Sequence, residues 1–208
     1  MEKRKALKQK ERKNGLDITD KIKKRLYPAV LELFSRKDFY QVNLRAISKN
    51  SGVSTGTIYK YFSSKEDLLF TIIEENIQEI EKTQVTQIQG LESAEEIFRK
   101  LLWVTLDYYD KNPEVAITAF ITLPMRTWMK QEGYKSKYGR SIFEEIIKKG
   151  LKRGDIDPQI NSRLYQDIYY MICYRYIHMW YYFGMKWKLV DAVYKDFDKL
   201  WKFFLPPE

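Results

Sequence analysis

Apolar residues recur along this chain at three- and four-residue intervals, and no segment alternates convincingly as a strand. In "DITDKIKKRLYPAVLELFSRKDFY", Ile22, Leu26, Val30, Leu33 and Phe34 fall on one helical stripe, with Thr19 as the N-cap. Pro28 lies inside that stripe and predicts a bend or a true start near it, since a mid-helix proline costs about 3 kcal/mol. Two short helices follow: "NLRAISKNSG", capped by Asn43 and stopped by Gly52, and "STGTIYKYF", capped by Ser54. A long helix then runs to Gly90, its start marked by a capping box of Ser63 and Glu66. Ser93 with Glu96 opens the next, which stops at Asn112-Pro113; Pro113 suits the first turn of another, which Pro124 ends. "YGRSIFEEIIKKGLKRGD" and two terminal helices, about 162–184 and 188–204, complete the chain. The prediction is an all-α protein of about nine helices.

Charge divides what the pattern leaves uniform. Residues 1–62 hold 16 Lys/Arg against 6 Asp/Glu, and the remainder 21 against 22, so all of the net +9 sits in the first third. That is the footprint of a nucleic-acid-binding head on a neutral body. A basic tail accounts for Lys3, Arg4, Lys5, Lys8, Lys10, Arg12 and Lys13, but not for Arg25, Arg36, Arg45, Lys49 or Lys60, which lie inside patterned sequence. The expected organisation is a basic flexible arm (1–18), a DNA-binding head (19–64) and a larger helical body (65–208). The arm either follows DNA or stays solvated, ordering only on the duplex. No apolar stretch follows the basic start, and the most apolar segment, 165–187, is broken by Asp167, Arg175 and His178. Neither a secretory signal nor a membrane span is expected, and the cytoplasm is the expected location.

Helix, tight turn at Gly52, helix is the arrangement whose second helix lies in a DNA major groove. The second helix opens with Ser54, Thr55, Gly56 and Thr57, small enough to let the backbone approach a groove. Tyr59, Lys60 and Tyr61 follow, with hydroxyls and an ammonium for phosphates. Lys65, a cation in the first turn of the long helix, makes electrostatic sense facing an anion. Asn43 and Arg45 at the first short helix complete the expected DNA-contacting set, while Ile47, Val53, Ile58 and Phe62 face inward. Over 26–70 the sequence resembles the TetR family of transcriptional regulators. The residues that carry the resemblance are Asn43, Ile47-Ser48, Gly52-Val53-Ser54, Gly56-Thr57, Tyr59-Lys60-Tyr61-Phe62 and Lys65-Glu66-Asp67-Leu68-Leu69. Asn43 stands where threonine is usual and Ser48 where alanine is; Ser51 is a second serine for alanine, and Pro28 replaces a helix former.

The resemblance implies a ligand pocket among the middle helices and a homodimer through the last two, which makes 19–64 the helix-turn-helix DNA-binding domain and 65–208 a ligand-binding and dimerisation domain. Stripes of Tyr165, Ile168, Ile172, Tyr176, Met179 and Phe183, widened by Tyr169, Cys173 and Trp180, and of Leu189, Val193, Phe197, Leu200, Trp201 and Phe204 agree with burial on more than one face. Some of Leu102, Thr105, Tyr109, Phe120, Met125, Trp128, Ile172 and Tyr176 are expected to line a mostly apolar pocket, although for any one of them plain core or interface is the commoner role. "LDYYDKNPEVA" is similar to acyl-CoA-responsive members of the family, with Arg126 or Arg175 available to an acidic head group; a flat aromatic or cationic effector competes. His178 is the only histidine and Cys173 the only cysteine, both in an apolar helix, and no phosphate loop or paired-acid motif stands out. An enzyme, a metal site and a cofactor are therefore not expected. The expected function is a ligand-responsive regulator, most simply a repressor, that binds a palindromic double-stranded operator as a homodimer and is released by a hydrophobic or amphipathic molecule. A transcriptional activator and a DNA-binding protein without a ligand remain open.

Overall fold

The computed structural model describes residues 18–130 and 140–206, so the arm's basic residues 3–13 lie outside the described set. Ten α-helices account for most of it. They are α1 (Asp20–Arg36), α2 (Leu44–Ser51), α3 (Thr55–Tyr61), α4 (Lys65–Gln87), α5 (Ala94–Lys111), α6 (Pro113–Ile117), α7 (Met125–Trp128), α8 (Arg140–Arg153), α9 (Ser162–Tyr182) and α10 (Asp191–Trp201). Short 3₁₀ turns at Phe39–Gln41 and Lys202–Phe204 and a π turn at Thr118–Thr122 were not legible in the sequence. No helix among the described residues is long and apolar enough to cross a membrane.

The chain divides into two compact units. The first takes residues up to Ile77 together with Ile117–Leu123; the second takes Gln78–Ala116 and everything from Pro124 on. The boundary thus falls inside α4 rather than at its start. Leu68, Leu69, Ile72 and Ile73 of α4 are fully buried and complete the core of the first unit, whose other members include Leu26, Val30, Phe34, Ile47 and Ile58. The π turn belongs here too: Thr122 Oγ1 donates to Phe34 O at 2.8 Å, satisfying a carbonyl that the last turn of α1 leaves free. Inside that turn the Thr118 hydroxyl is fully buried without a partner.

α1 runs from Asp20 to Arg36 with Pro28 inside it, so of the two expected outcomes the helix does not start anew at the proline. Pro28 and Lys24 lie on the exposed side, so the Lys24 carbonyl, which the proline cannot serve, faces solvent. Thr19 stands at the N-cap, but its side chain makes no capping bond. The box that opens α4 is displaced by one residue from the predicted Ser63/Glu66. Asp67 N–H donates to Ser64 Oγ at 3.0 Å, and the Asp67 carboxylate accepts from Ser63 N–H and Oγ at 2.7 and 2.9 Å.

The second unit is built on aromatic rings. Phe98 meets Tyr165 edge-on at 4.7 Å and Phe204 at 5.0 Å, and Phe143 sits 5.2 Å from Tyr169; such pairs add to the area they bury. The buried arc of α9 centres on Tyr165, Tyr169, Cys173, Ile177 and Trp180, with Ile172 beside it. Phe183, expected on the inner stripe, ends the helix and is 47% exposed. The Asp110 carboxylate of α5 accepts from Leu189 and Val190 N–H at 2.7 and 3.1 Å and so fixes the start of α10.

Candidate nucleic-acid interface and effector site

The recognition element is held by bonds that its sequence supplies. Asn43 Oδ1 accepts from Ala46 N–H at 2.9 Å and caps α2; Gly52, at φ +63, ends it in the left-handed region that glycine tolerates. Ser51 Oγ, buried in the turn, accepts from Val53 N–H at 3.1 Å, so this serine closes the turn as well as fitting where alanine is usual. Arg25 donates from Nη2 to Gly52 O at 2.8 Å. Its guanidinium fills the space that a Cβ on residue 52 would enter. Asn50 Nδ2 donates to Ala29 O at 3.3 Å, tying α2 to α1. Ile47, Val53, Ile58 and Phe62 are buried as expected.

What remains outside is the face that the sequence singled out. Ser54 Oγ accepts from Thr57 N–H at 3.1 Å and pairs with Thr57 Oγ1 at 2.8 Å. One of those two hydroxyls gives its proton to the other, and the second keeps a proton for an outside acceptor. Thr55 is half-buried and Gly56 exposed; Gly56 occupies the second position of α3, where an added Cβ would meet nothing closer than Ser54 Oγ at 3.9 Å. Tyr59 is 56% exposed, Lys60 is exposed, and Tyr61 is half-buried with the Lys60 ammonium 5.8 Å from its ring centre. Asn43 and Arg45 are exposed at the start of α2.

Lys65 is placed differently from the simple expectation of an ammonium facing a phosphate. Its Nζ donates to Phe39 O at 2.7 Å and Val42 O at 2.9 Å and lies 4.2 Å from the centre of the Phe39 ring. Backbone carbonyls therefore offset the unfavourable helix dipole, and one of three N–H groups remains for an outside anion. The same contacts bring the 3₁₀ turn to the start of α4. They expose a residue that the sequence reading missed: Tyr40 is 80% exposed, edge-on to Phe39 at 5.3 Å and 5.9 Å from Lys65 Nζ. Its only signal was an aromatic in a polar segment between two helices.

The residues expected to line a pocket do not form one set. Leu102, Thr105, Tyr109 and Ile172 are buried in the second unit. Trp128 is half-buried and Met125 is 45% exposed on α7, and Phe120 belongs to the π turn of the first unit. Tyr176 turns its hydroxyl to Asp196 Oδ2 at 3.0 Å. Ile172 also lines an open apolar cleft of about 490 Å³ with Leu164, Ile168, Leu200 and Phe203. Around Thr105 the core is polar but uncharged. Gln84, absent from the sequence expectation, reaches Thr105 and Tyr169 there. Burial holds the Tyr109 and Tyr169 hydroxyls well above the usual phenol range and pushes the Cys173 thiol up to about 12, so all three stay protonated. Arg126 and Arg175 are exposed. The His178 ring stacks on Tyr174 at 3.8 Å, with Nδ1 2.8 Å from Tyr174 O.

The family described as bacterial regulatory proteins, tetR family, matches residues 28–72, the segment that builds this interface. The HTH-type transcriptional regulator HbdR of Aromatoleum sp. (strain CIB) is 22% identical over 178 residues, 84% of this chain and 74% of that protein. Among solved structures, the fatty acid degradation regulator FadR from Bacillus halodurans superposes with a TM-score of 0.78 at 20% identity, covering 89% of this chain and 96% of that one. FadR from Bacillus subtilis in complex with stearoyl-CoA gives 0.74 at 22% identity, over 85% and 96%. The resemblance to the TetR family, the all-α class and the head-plus-body fold are borne out.

Proposed function

We propose that this chain, with its TetR-family head, is a repressor that binds a palindromic operator as a homodimer and releases it when a hydrophobic or amphipathic effector enters the body. One observation carries the reading: α3 offers an exposed first turn of glycine and hydroxyl residues, free of internal need for that glycine, on a turn fixed by Arg25, Ser51 and Asn50. A helix so presented fits a major groove about 12 Å wide, with its N-terminal residues nearest the base edges. Asn43, Arg45, Tyr40, Tyr59, Lys60, Tyr61 and the free N–H of Lys65 serve the flanking phosphates; Thr55 and Lys60 reach bases.

Dimerisation through α9 and α10 is supported by the apolar side chains left outside there. Leu164 and Phe203 are 43% and 73% exposed at the cleft that Ile172 lines, and Met171 of α9 is 60% exposed. An isologous dimer covers such a face and presents two α3 helices to half-sites one helical turn, about 34–36 Å, apart. An effector that favours a different spacing of the heads lowers operator affinity, and by linkage the operator lowers effector affinity equally. A relative named as a fatty acid metabolism regulator protein and the solved FadR complex with stearoyl-CoA favour an acyl compound as effector. The protein acts in the cytoplasm and has no catalytic role.

Selection from a random duplex library tests the core of this. We expect an inverted repeat, bound with a steep inverse salt dependence. Enrichment of no sequence over random DNA at moderate salt overturns the operator reading. In transcription in vitro from a promoter carrying the selected site, activation instead of repression overturns the repressor assignment alone.

A further inference from the structure

The turn that joins α9 to α10 contains the one non-glycine residue with positive φ among the described residues, Met185 at φ +58. The end of α9 does not require it. Gly184, left-handed at φ +75, donates its N–H to Tyr181 O at 3.0 Å, and Met185 N–H donates to Trp180 O at 2.8 Å, which completes the helix stop. The φ of Met185 itself comes after those bonds, in a conformation that is strained for any residue with a Cβ. Strain of this kind persists only where the surroundings impose it, and it concentrates at binding sites.

Met185 forms part of the wall of an open cleft of about 720 Å³ within the second unit, distinct from the cleft at Ile172. The other apolar walls are Trp103 of α5, Trp187 of the turn and Tyr194 of α10. Met185, Trp187 and Tyr194 are exposed, and Trp103 is half-buried. These walls are already held. Trp103 Nε1 donates to Tyr194 OH at 3.1 Å, Trp180 Nε1 donates to Trp187 O at 2.9 Å, and Asp110 fixes the backbone at 189 and 190. The cleft is therefore formed before anything enters it, and little ordering opposes binding.

Charge selects what can enter. Three carboxylates line the cleft, and two of them are answered: Asp107 accepts from Lys111 Nζ at 2.7 Å, and Asp110 from two backbone N–H groups. Asp191, Lys186 and Lys188 also line it and have no ion pair among the described residues. Two ammoniums against one carboxylate leave one positive charge unanswered. Lys100 Nζ, 5.5 Å from the centre of the Trp103 ring, adds to the positive side.

We propose that this cleft is a second small-molecule site, besides that of the acyl effector, and takes a flat aromatic ring bearing a single negative charge, as in an aromatic carboxylate. The ring lies against Trp103, Trp187 and Tyr194, where ring contacts add to the area they bury. The anionic group meets Lys186 and Lys188. A cation of the same shape is repelled by both, and on Trp103 it competes with Lys100, which already faces that ring. An aliphatic chain gains no ring stacking here and leaves the two ammoniums unanswered.

Calorimetric titration of the full chain in low salt with 2-naphthoate, 2-naphthamide and 2-naphthylmethylammonium compares three charges on one ring. It needs neither operator nor acyl compound, so its failure leaves the repressor reading untouched. Naphthoate should bind about tenfold more tightly than the ammonium, with the amide between them. Lys186→Gln combined with Lys188→Gln, at two exposed positions, should abolish that preference and leave amide binding unchanged. Met185→Gly removes part of the wall and relieves the strain. It should weaken naphthoate binding about three- to tenfold without lowering Tm. Naphthoate binding weaker than about 1 mM, equal binding of the ammonium, a preference that survives the double substitution, or an affinity unmoved by Met185→Gly overturns the site.

Discussion

Replacing Gly56 by alanine should move stability and DNA binding in opposite directions. Gly56 is the second residue of α3, and an added Cβ would sit 3.9 Å from Ser54 Oγ, in ordinary van der Waals contact. Nothing inside the protein opposes the methyl group. Alanine is favoured over glycine by about 0.8–1.0 kcal/mol in a helix interior. In a first turn, with the gain arising mainly from the unfolded chain, about 0.5 kcal/mol is reasonable. For a chain of this length that raises Tm by about 1–2 °C. If the glycine is there because a groove passes close to it, the same methyl group displaces the helix from its target. We expect at least a tenfold loss in affinity for the selected operator, about 1.4 kcal/mol. Urea unfolding reads the first quantity and fluorescence anisotropy on a labelled duplex the second. Operator affinity within twofold of the parent would refute the close approach, and a fall in stability would refute the helix geometry at residue 56. Gly150 supplies the contrast. A Cβ there would collide with Ile156 Cδ1 and meet Ala94 Cβ at 3.1 Å, so Gly150→Ala should cost stability with no direct effect on DNA contacts.

Lys65→Met removes two ammonium–carbonyl bonds and should lower stability by about 1–2 kcal/mol in urea unfolding. It should also reduce the salt slope of operator binding by about one without changing sequence preference; an unchanged slope would confine Lys65 to a structural role. Glu75→Gln breaks the Lys23–Glu75 pair at 2.9 Å, which Tyr27 OH supports at 3.2 Å. Both partners are about a third exposed, so the loss should be about 1 kcal/mol and shrink in 1 M salt; a loss independent of salt would argue against an ionic contribution. Thr118→Val replaces a fully buried hydroxyl without a partner by a group of similar shape and should stabilise by about 1 kcal/mol; destabilisation would mean that the hydroxyl is bonded in solution. The Cys173 thiol, raised by burial to about 12, should resist a disulfide reagent until the chain unfolds. Because its folded value is the higher one, this contribution to stability is complete below the unfolded thiol's value of about 8.5 and is lost as pH rises toward 12. A Cys173→Ala variant with the same alkaline stability profile would exclude it.

Local rules carried the sequence reading a long way in the head. Asn43, Ser54 and Ser93 were legible as caps because each bond spans three residues of contiguous chain, and all three are made. The same rule slipped at the start of α4. Two serines and two acids stand side by side there, and only geometry selects Ser64 with Asp67 over Ser63 with Glu66. Lys65 was legible as an electrostatic anomaly, but its answer lies in Phe39 O and Val42 O, more than twenty residues back in the chain. In the body, periodicity gave the helices but not the phase of their burial. Phe183 continues the α9 pattern as a string of letters, yet the helix has already ended at Tyr182. Phe120 was counted with the body because it follows α5, whereas a π turn bonded to α1 places it in the first unit. A π turn has no compositional signature, so no reading of residue types would have found it.

The most informative residues are those that break the local rule for their position without an internal reason. An apolar series on α4, Ile72, Ile73 and Ile80, calls for another apolar residue at 84 and finds a glutamine, buried as deeply as its neighbours. A glutamine there costs desolvation unless each polar atom is bonded, and the bonds it makes draw in Thr105 and Tyr169 from two other helices. Those bonds are the internal reason for the glutamine: they tie α4 to α5 and α9 within the second unit. Gly56 makes the complementary case on the outside. Helix propensity calls for alanine, no neighbour excludes it, and the glycine is to be explained by something that the protein itself does not contain. Gly150 breaks the same propensity rule, but Ile156 and Ala94 account for it, and it therefore says nothing about function. Of these three exceptions, subtracting the internally explained ones leaves the first turn of α3. This is the place where a groove would supply what the isolated chain lacks.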